Sequence, residues 1–198
     1  MDDTRPRKEN FFGFAAIFIR IKTLEEILMK KFWIIAAMAS LLFVSDHAVA
    51  ATASAEIRGT DPKSKITGKV FFKDSPEGLN ISAEVHHVPA GKHGFHVHEN
   101  GSCSDKGKAA GDHFNPDKVK HGLIAKDGFS HAHAGDMGNI EADKNGDGKL
   151  EIIVPHIALN GKYSIIGKAV ILHENEDDLI SQPAGNAGGR IGCGVIQS

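Results

Sequence analysis

Two histidines, His96 and His98, stand two residues apart in Gly94-Phe95-His96-Val97-His98-Glu99. On an extended segment their side chains leave the same face, because a strand alternates with a period of two. An imidazole pair held in that way can grip one metal ion. Alone the pair says little, since a His-x-His in a strand is as often two half-buried polar residues. The chain supplies more candidates: His113, His121, His131, His133 and Asp136 fall in one stretch, and His173 ends an apolar run. Imidazole suits copper and zinc, and four histidines with an open position are typical of a redox or Lewis-acid metal. Three histidines with one carboxylate make a closed tetrahedral zinc site. The inventory furnishes both sites if one histidine serves each metal through its two ring nitrogens.

Those residues need a framework, and composition narrows it. The chain has 198 residues, twelve histidines, 22 glycines, two cysteines, 7% aromatic residues and a net charge of −2. No basic stripe is present to neutralise phosphates, which excludes a nucleic-acid partner. Abundant glycine and few aromatics fit a turn-rich β protein. Met29-Lys30-Lys31 precedes an apolar run over 32–44 and then Ser45-Asp46-His47-Ala48-Val49-Ala50, the pattern of a cleaved secretory signal over 29–50. The run is shorter than the roughly 20 residues that span a bilayer, so no stable membrane association is expected after cleavage. Residues 1–28 read as a gene-model extension upstream of Met29 or as an N-terminal leader. The mature domain is then 51–198, exported to the periplasm. Export makes a disulfide reasonable for Cys103 and Cys193, worth roughly 4–5 kcal/mol by chain-entropy arithmetic.

Strand patterns recur along the domain. Residues 54–60 and 65–73 form a first pair across an Asp61-Pro62 turn, and 79–88 alternates apolar with polar positions. Further strands are expected around His96 and His98 and over 150–155, 164–173 and 190–196. About eight short strands and no helix indicate an all-β fold, an eight-stranded antiparallel sandwich or flattened barrel. Between Asn100 and Asn139 lie about 40 residues without periodicity, long enough to need a reason for being ordered, and metal coordination is such a reason. Two motifs are decoys. Asp143-Lys144-Asn145-Gly146-Asp147-Gly148 opens like a calcium loop, but its twelfth position is Val154, so it reads as a hairpin turn. The glycines of Gly185-Asn186-Ala187-Gly188-Gly189 open no helix after a strand, so they are not a phosphate loop.

The stretches Gly94–Glu99, His113-Phe114-Asn115-Pro116, His133-Ala134-Gly135-Asp136, His173-Glu174 with Asp177-Asp178, and Gly185–Ile196 run in one order across the mature domain. In that order the sequence resembles the copper/zinc superoxide dismutase family, its exported bacterial branch in particular. The resemblance implies a Greek-key sandwich or flattened barrel with long metal-binding loops. It implies that superoxide is dismutated to oxygen and hydrogen peroxide, protecting the cell envelope. The implied copper ligands are His96, His98, His113 and His173, and the implied zinc ligands are His113, His121, His133 and Asp136, with His113 bridging. Asp177 resembles the carboxylate that orients one histidine of each metal, and Arg190 the guanidinium beside the open copper position. Cys103 and Cys193 match the family's disulfide within one subunit. The family also admits a homodimer.

His131 competes with His133, but the His-x-Gly-Asp context favours His133. His93 reads as structural, and His86, His87 and His156 as ordinary surface or core histidines. Two features depart from the family. Asp112 stands before the bridging histidine where glycine is usual, with a side chain expected to face solvent. The segment 174–189 holds no lysine to steer an anion, leaving Lys106, Lys108 or Lys120 as substitutes. A copper carrier of the same fold would lose ligands or the arginine, an immunoglobulin-like module would need none of them, and a zinc hydrolase would need a placed general base. The exported protein is expected to begin at Ala51, a start that mass spectrometry of the mature N-terminus measures directly.

Overall fold

The computed structural model describes residues 24–31 and 50–198. Two compact units divide the chain, Met1–Ala48 and Val49–Ser198. In the first, residues 24–31 form a helical stretch with exposed side chains. The apolar run over 32–44 and the segment 1–23 lie outside the described residues. Among the described residues no helix is long and apolar enough to cross a membrane.

The second unit is an eight-stranded barrel. Its strands are β1 (Thr52–Gly59), β2 (Thr67–Ser75), β3 (Gly78–His86), β4 (Gly91–His98), β5 (Asp136–Ala142), β6 (Gly148–Val154), β7 (Ala169–His173) and β8 (Arg190–Val195). They close in the order β1-β2-β3-β6-β5-β4-β7-β8, with β8 returning to β1, and every pair is antiparallel. Crossovers from β3 to β4 and from β6 to β7 make the Greek-key connections. Closure leaves no unpaired edge.

Alternation decides which side chains go inside. Ile57 on β1, Val70 and Phe72 on β2, Leu79, Ile81 and Val85 on β3, and Phe95 and Val97 on β4 are all buried in one core. Their polar neighbours along β2 and β3 stay at the surface. β4 breaks this rule, since every residue from His93 to His98 is buried. Phe95 and Val97 point into the core, so His96 and His98 point outward and are buried only because loops cover them. β7 is covered in the same way: Ile171 and Ala169 pack with Ala110 and Cys193 in a second, smaller cluster outside the barrel.

Two boundaries differ from the sequence pattern. The apolar stretch expected as a strand over 164–173 begins pairing only at Ala169. Gly167 has φ +75°, and Lys168 N–H bonds back to Ile165 O at 3.1 Å, so residues 164–168 turn before the strand starts. β5 emerges from the end of the stretch that showed no periodicity. It is buried at five of seven positions with Gly138 at φ +89°, and such a strand offers no two-residue alternation to detect. The long connection from β4 to β5 also carries two single helical turns, Lys108–Ala110 and Ile124–Asp127. The second is fixed at its start by the Asp127 carboxylate, which accepts the Leu123 N–H at 2.9 Å. The calcium-loop mimic is a hairpin turn between β5 and β6, its Asp143 carboxylate accepting N–H bonds from Asn145 and Asp147.

Phe72 is 1% exposed on β2. Truncating it leaves a cavity that a closed barrel cannot collapse. Phe72→Ala is expected to cost about 3–5 kcal/mol, read as a lowered denaturation midpoint with an unchanged slope.

Candidate metal centre

Four histidine rings meet on the outer side of β4. β4 supplies His96 and His98, the end of β7 supplies His173, and the loop after β4 doubles back to supply His113. That return is held by backbone: Glu99 N–H bonds Asp112 O at 3.0 Å and Phe114 N–H bonds Val97 O at 2.9 Å. The bonds pin residue 113 opposite His98. His113 also belongs to a second group with His121, His133 and Asp136. In each group the donor atoms lie within 4.8 Å of one another, and all seven residues are buried. The family resemblance implied two sets sharing His113, and the structure brings the same residues together in two groups.

The tautomers follow from the outer hydrogen bonds. His98 Nδ1 donates to Gly111 O at 2.9 Å, and His173 Nδ1 faces Gly188 O at 3.4 Å. Both therefore turn a lone pair at Nε2 inward, and those two nitrogens sit 3.3 Å apart. His96 Nε2 donates to Asp177 Oδ2 at 2.7 Å, leaving its buried Nδ1 without a partner among the described residues. His113 Nε2 is likewise buried and unpartnered. Converging lone pairs repel unless a cation lies among them, and each buried polar atom left unpaired costs about 1–3 kcal/mol.

The second group repeats the pattern around a carboxylate. His121 Nε2 donates to Asp177 Oδ1 at 2.9 Å and His133 Nε2 to Val119 O at 3.1 Å. Their Nδ1 atoms then face Asp136, His121 at 3.0 Å from Oδ2 and His133 at 3.2 Å from Oδ1. The His121 approach is close but misaligned for a hydrogen bond. His113 Nδ1 reaches Asp136 Oδ1 at 2.7 Å. Asp136 Oδ2 also accepts the N–H groups of Gly122 and His133. Three nitrogens and a carboxylate aimed at one point are the donor set of a closed tetrahedral zinc site, and four imidazoles suit copper.

Charge follows from burial. Desolvation, with the neighbouring histidines, pushes His98 and His173 down to about 2. Desolvation lowers His113 to about 4 against the pull of Asp136. His121 goes the other way: burial opposes its charge, but Asp136 and Asp177 outweigh it and raise the ring to about 9. Burial also opposes ionisation of the two carboxylates, yet their histidine partners hold both below the ordinary range.

Arg190 opens β8 and turns its guanidinium onto the loop. Its terminal nitrogens donate to the carbonyls of Gly107 and Gly111, each at 2.6 Å. The Cys103–Cys193 disulfide ties that same loop to β8. A cleft of about 500 Å³ leads to the first cluster, with His98, His113, His173, Asp112, Lys118 and Arg190 on its walls. Asp112 is exposed and has no left-handed backbone, so its replacement of glycine creates no strain. His131 is exposed and belongs to neither cluster. Buried His93 is structural, its two nitrogens facing His173 O and Pro89 O. His86, His87 and His156 are exposed.

A family model described as copper/zinc superoxide dismutase (SODC) matches residues 66–196. The chain belongs to that family. Copper and zinc are the metals of copper/zinc superoxide dismutases, which are oxidoreductases, and the two donor sets fit the pair. The chain is similar to extracellular enzymes of the family. It is 41% identical over 138 residues to that of Caenorhabditis elegans, covering 67% of this chain and 61% of the relative's length. It is 38% identical over 146 residues to that of Haemonchus contortus, covering 71% and 78%. It is 41% identical over 142 residues to that of Drosophila melanogaster, covering 67% and 76%. The crystal structure of the clock protein EA4 superposes with a TM-score of 0.67 at 34% identity, covering 76% of this chain and 96% of that one.

Sequence reasoning missed two residues that fix the site. Asn139 on β5 clasps Asp177, its Oδ1 accepting the Asp177 N–H and its Nδ2 donating to Asp177 O, both at 2.8 Å. Gln182 does the same for His121, at 2.8 and 3.1 Å. Neither carries a sequence signal, because an amide that bonds backbone looks like any surface amide. Gly185 did stand out as a glycine, and the site explains it. A Cβ there would lie 1.7 Å from Asp177 Oδ1 and 2.7 Å from His121 Nε2.

The metal-free protein should be most stable near pH 7. The unfolded histidines titrate at 6.5 while His98, His113 and His173 stay neutral when folded, so the unfolded chain binds more protons as pH falls through 6.5 toward 4, and stability drops. His121 contributes fully below 6.5 and loses its contribution as pH rises through 9. Urea midpoints of the chelator-treated protein across pH 4–9 measure both limbs.

Proposed function

We propose that this chain dismutates superoxide in the periplasm after its leader is removed, with His96, His98, His113 and His173 holding copper. His113, His121, His133 and Asp136 would hold zinc. The observation that carries the reading is the His113 ring, which presents Nε2 to one cluster and Nδ1 to the other. Export is supported by the lysine-flanked apolar run ending in Ala48-Val49-Ala50 and by the extracellular relatives.

When bound, copper would supply a one-electron couple that takes an electron from one superoxide and returns it to a second, while zinc would fix the shared ring. The side chains do the rest. Asp177 joins the clusters by bonding His96 and His121, so neither ring can rotate without the other. His98 and His173 are locked through their Nδ1 atoms, which leaves His113 Nε2 as the ring position at the cleft where a proton can be held and passed on. Arg190 is kept beside the opening by carbonyls that use its terminal nitrogens, and its fixed charge orients an entering anion. Peroxide formation consumes two protons, one from His113 and one from solvent. The cleft is complete within one chain, so the reading holds for a monomer as for a homodimer.

Two variants separate capture from metal binding. Arg190→Ala should lower the second-order rate of superoxide loss on the order of tenfold while copper and zinc stay at wild-type content. His173→Ala should lose copper and activity together and keep zinc. Metal analysis beside a superoxide assay at low ionic strength reads both, and a fully active Arg190→Ala protein would remove the arginine from the account.

A further inference from the structure

Four charged side chains line the cleft: Arg190 and Lys118 are cationic, Glu99 and Asp112 anionic. Before any metal is counted, the entrance is balanced, which is a poor arrangement for collecting an anion. We propose that Lys118 is the residue that draws superoxide into the cleft, and that Asp112 opposes it and holds the capture rate down. The proposal rests on superoxide being the substrate.

Lys118 is set apart from the other lysines by position. Lys106 lies 3.6 Å from Asp61 and, with Lys108, lines an adjoining depression beside Glu174 that meets the cleft at Gly188 and Arg190, and neither lysine lines the cleft itself. Lys120 lines another depression next to His121 and Ile180; Lys118 borders that depression too, but of the two only Lys118 also lines the cleft. Lys162 is engaged by Asp117. Lys118 makes no ion pair among the described residues, and the segment 174–189 contributes no cation to the cleft. The lysines that the sequence offered as substitutes are therefore not the one on the wall.

Its backbone is also fixed. Asn115 spans the turn, its Oδ1 accepting the Val119 N–H at 3.1 Å and its Nδ2 donating to Val119 O at 2.9 Å. Lys118 N–H bonds Asn115 O, and the residue sits in the left-handed region at φ 54°. This turn begins two residues after His113, so the stem of Lys118 is referenced to the shared histidine. On the other side, Asp112 directly precedes His113, is exposed and acts electrostatically on Arg190. Both terminal nitrogens of Arg190 are occupied by carbonyls. Its charge acts close in, and Lys118 reaches further out.

A unit charge about 10 Å from an anion in water changes its local concentration about twofold at low salt. Screening removes that effect as the Debye length falls to about 3 Å near 1 M salt. The experiment uses the copper- and zinc-loaded protein, with Lys118→Gln, Lys118→Arg and Asp112→Asn. It measures the second-order rate of superoxide loss from low to 1 M salt, the dissociation constant of azide by optical titration, and metal content. Lys118→Gln should halve the rate and weaken azide about twofold, and Lys118→Arg should restore the salt-dependent part. Asp112→Asn should raise the rate and tighten azide by a similar factor. The differences should vanish at 1 M salt with metal content unchanged. A Lys118→Gln protein with unaltered rate and azide affinity at low salt overturns the proposal, as does a loss that persists equally at every salt concentration. A fully metal-loaded wild-type protein that fails to remove superoxide instead overturns the functional reading beneath it.

Discussion

Lone pairs of buried imidazoles facing one another are the arrangement on which the rest of the domain depends. In water a histidine nitrogen always finds a partner, but among the described residues His96 Nδ1 and His113 Nε2 have none, and His98 and His173 turn theirs toward each other across 3.3 Å. A folded chain accepts this only if something positive takes the place of solvent. The second cluster answers the same demand partly with Asp136, whose carboxylate holds three rings and in the metal-free protein keeps His121 protonated. The domain is therefore built as a receptor for cations, and the carboxylates Asp136 and Asp177 are its internal counter-charges.

The barrel makes this arrangement rigid without using its core for chemistry. Alternation on β4 sends Phe95 and Val97 inward and His96 and His98 outward, so packing and ligation share a strand but not a face. Long segments between β4 and β5 and between β7 and β8 then cover the outward face. They are held by side chain to backbone clasps such as Asn139 on Asp177 and Gln182 on His121, and by the disulfide across 90 residues. Ordering so much irregular chain costs conformational entropy, roughly 1–2 kcal/mol per residue, so such loops persist only where many specific contacts oppose it. Asp177 is the contact common to both clusters, and Gly185 is the residue whose missing side chain lets Asp177 and His121 approach.

Electrostatics inside and outside the site differ in kind. Inside, short distances and burial set the protonation of each ring, and salt has little access. At the mouth, Lys118, Asp112 and Glu99 act through water, weakly and over longer range. Arg190 lies between the two regimes, half-buried against loop carbonyls with its charge intact at neutral pH. A chain can change the outer charges without touching metal affinity, which makes the mouth of the cleft the place where capture is adjusted independently of chemistry.

Much of this was legible in the residues. Period-two alternation over 79–88 predicted the buried face of β3, the inventory of histidines and aspartate pointed to two metal sites sharing one imidazole, and the resemblance to the copper/zinc superoxide dismutase family implied that His113 is the shared ring. Short-range patterns carry such information because they depend on neighbours a few positions away. Other features were hidden because their partners are remote in sequence. β5 could not be read, since loops bury its outer side and erase the alternation. Asn139 and Gln182 bond backbone 38 and 61 residues away, and nothing local marks an amide for that role. Choosing Lys118 over Lys106, Lys108 and Lys120 depended on which wall each occupies. The sequence determined which chemistry the chain can perform, because ligand type is a local property. Which charges and amides surround that chemistry was decided by the closed barrel, because only folding brings distant residues within the reach of a hydrogen bond or an unscreened charge.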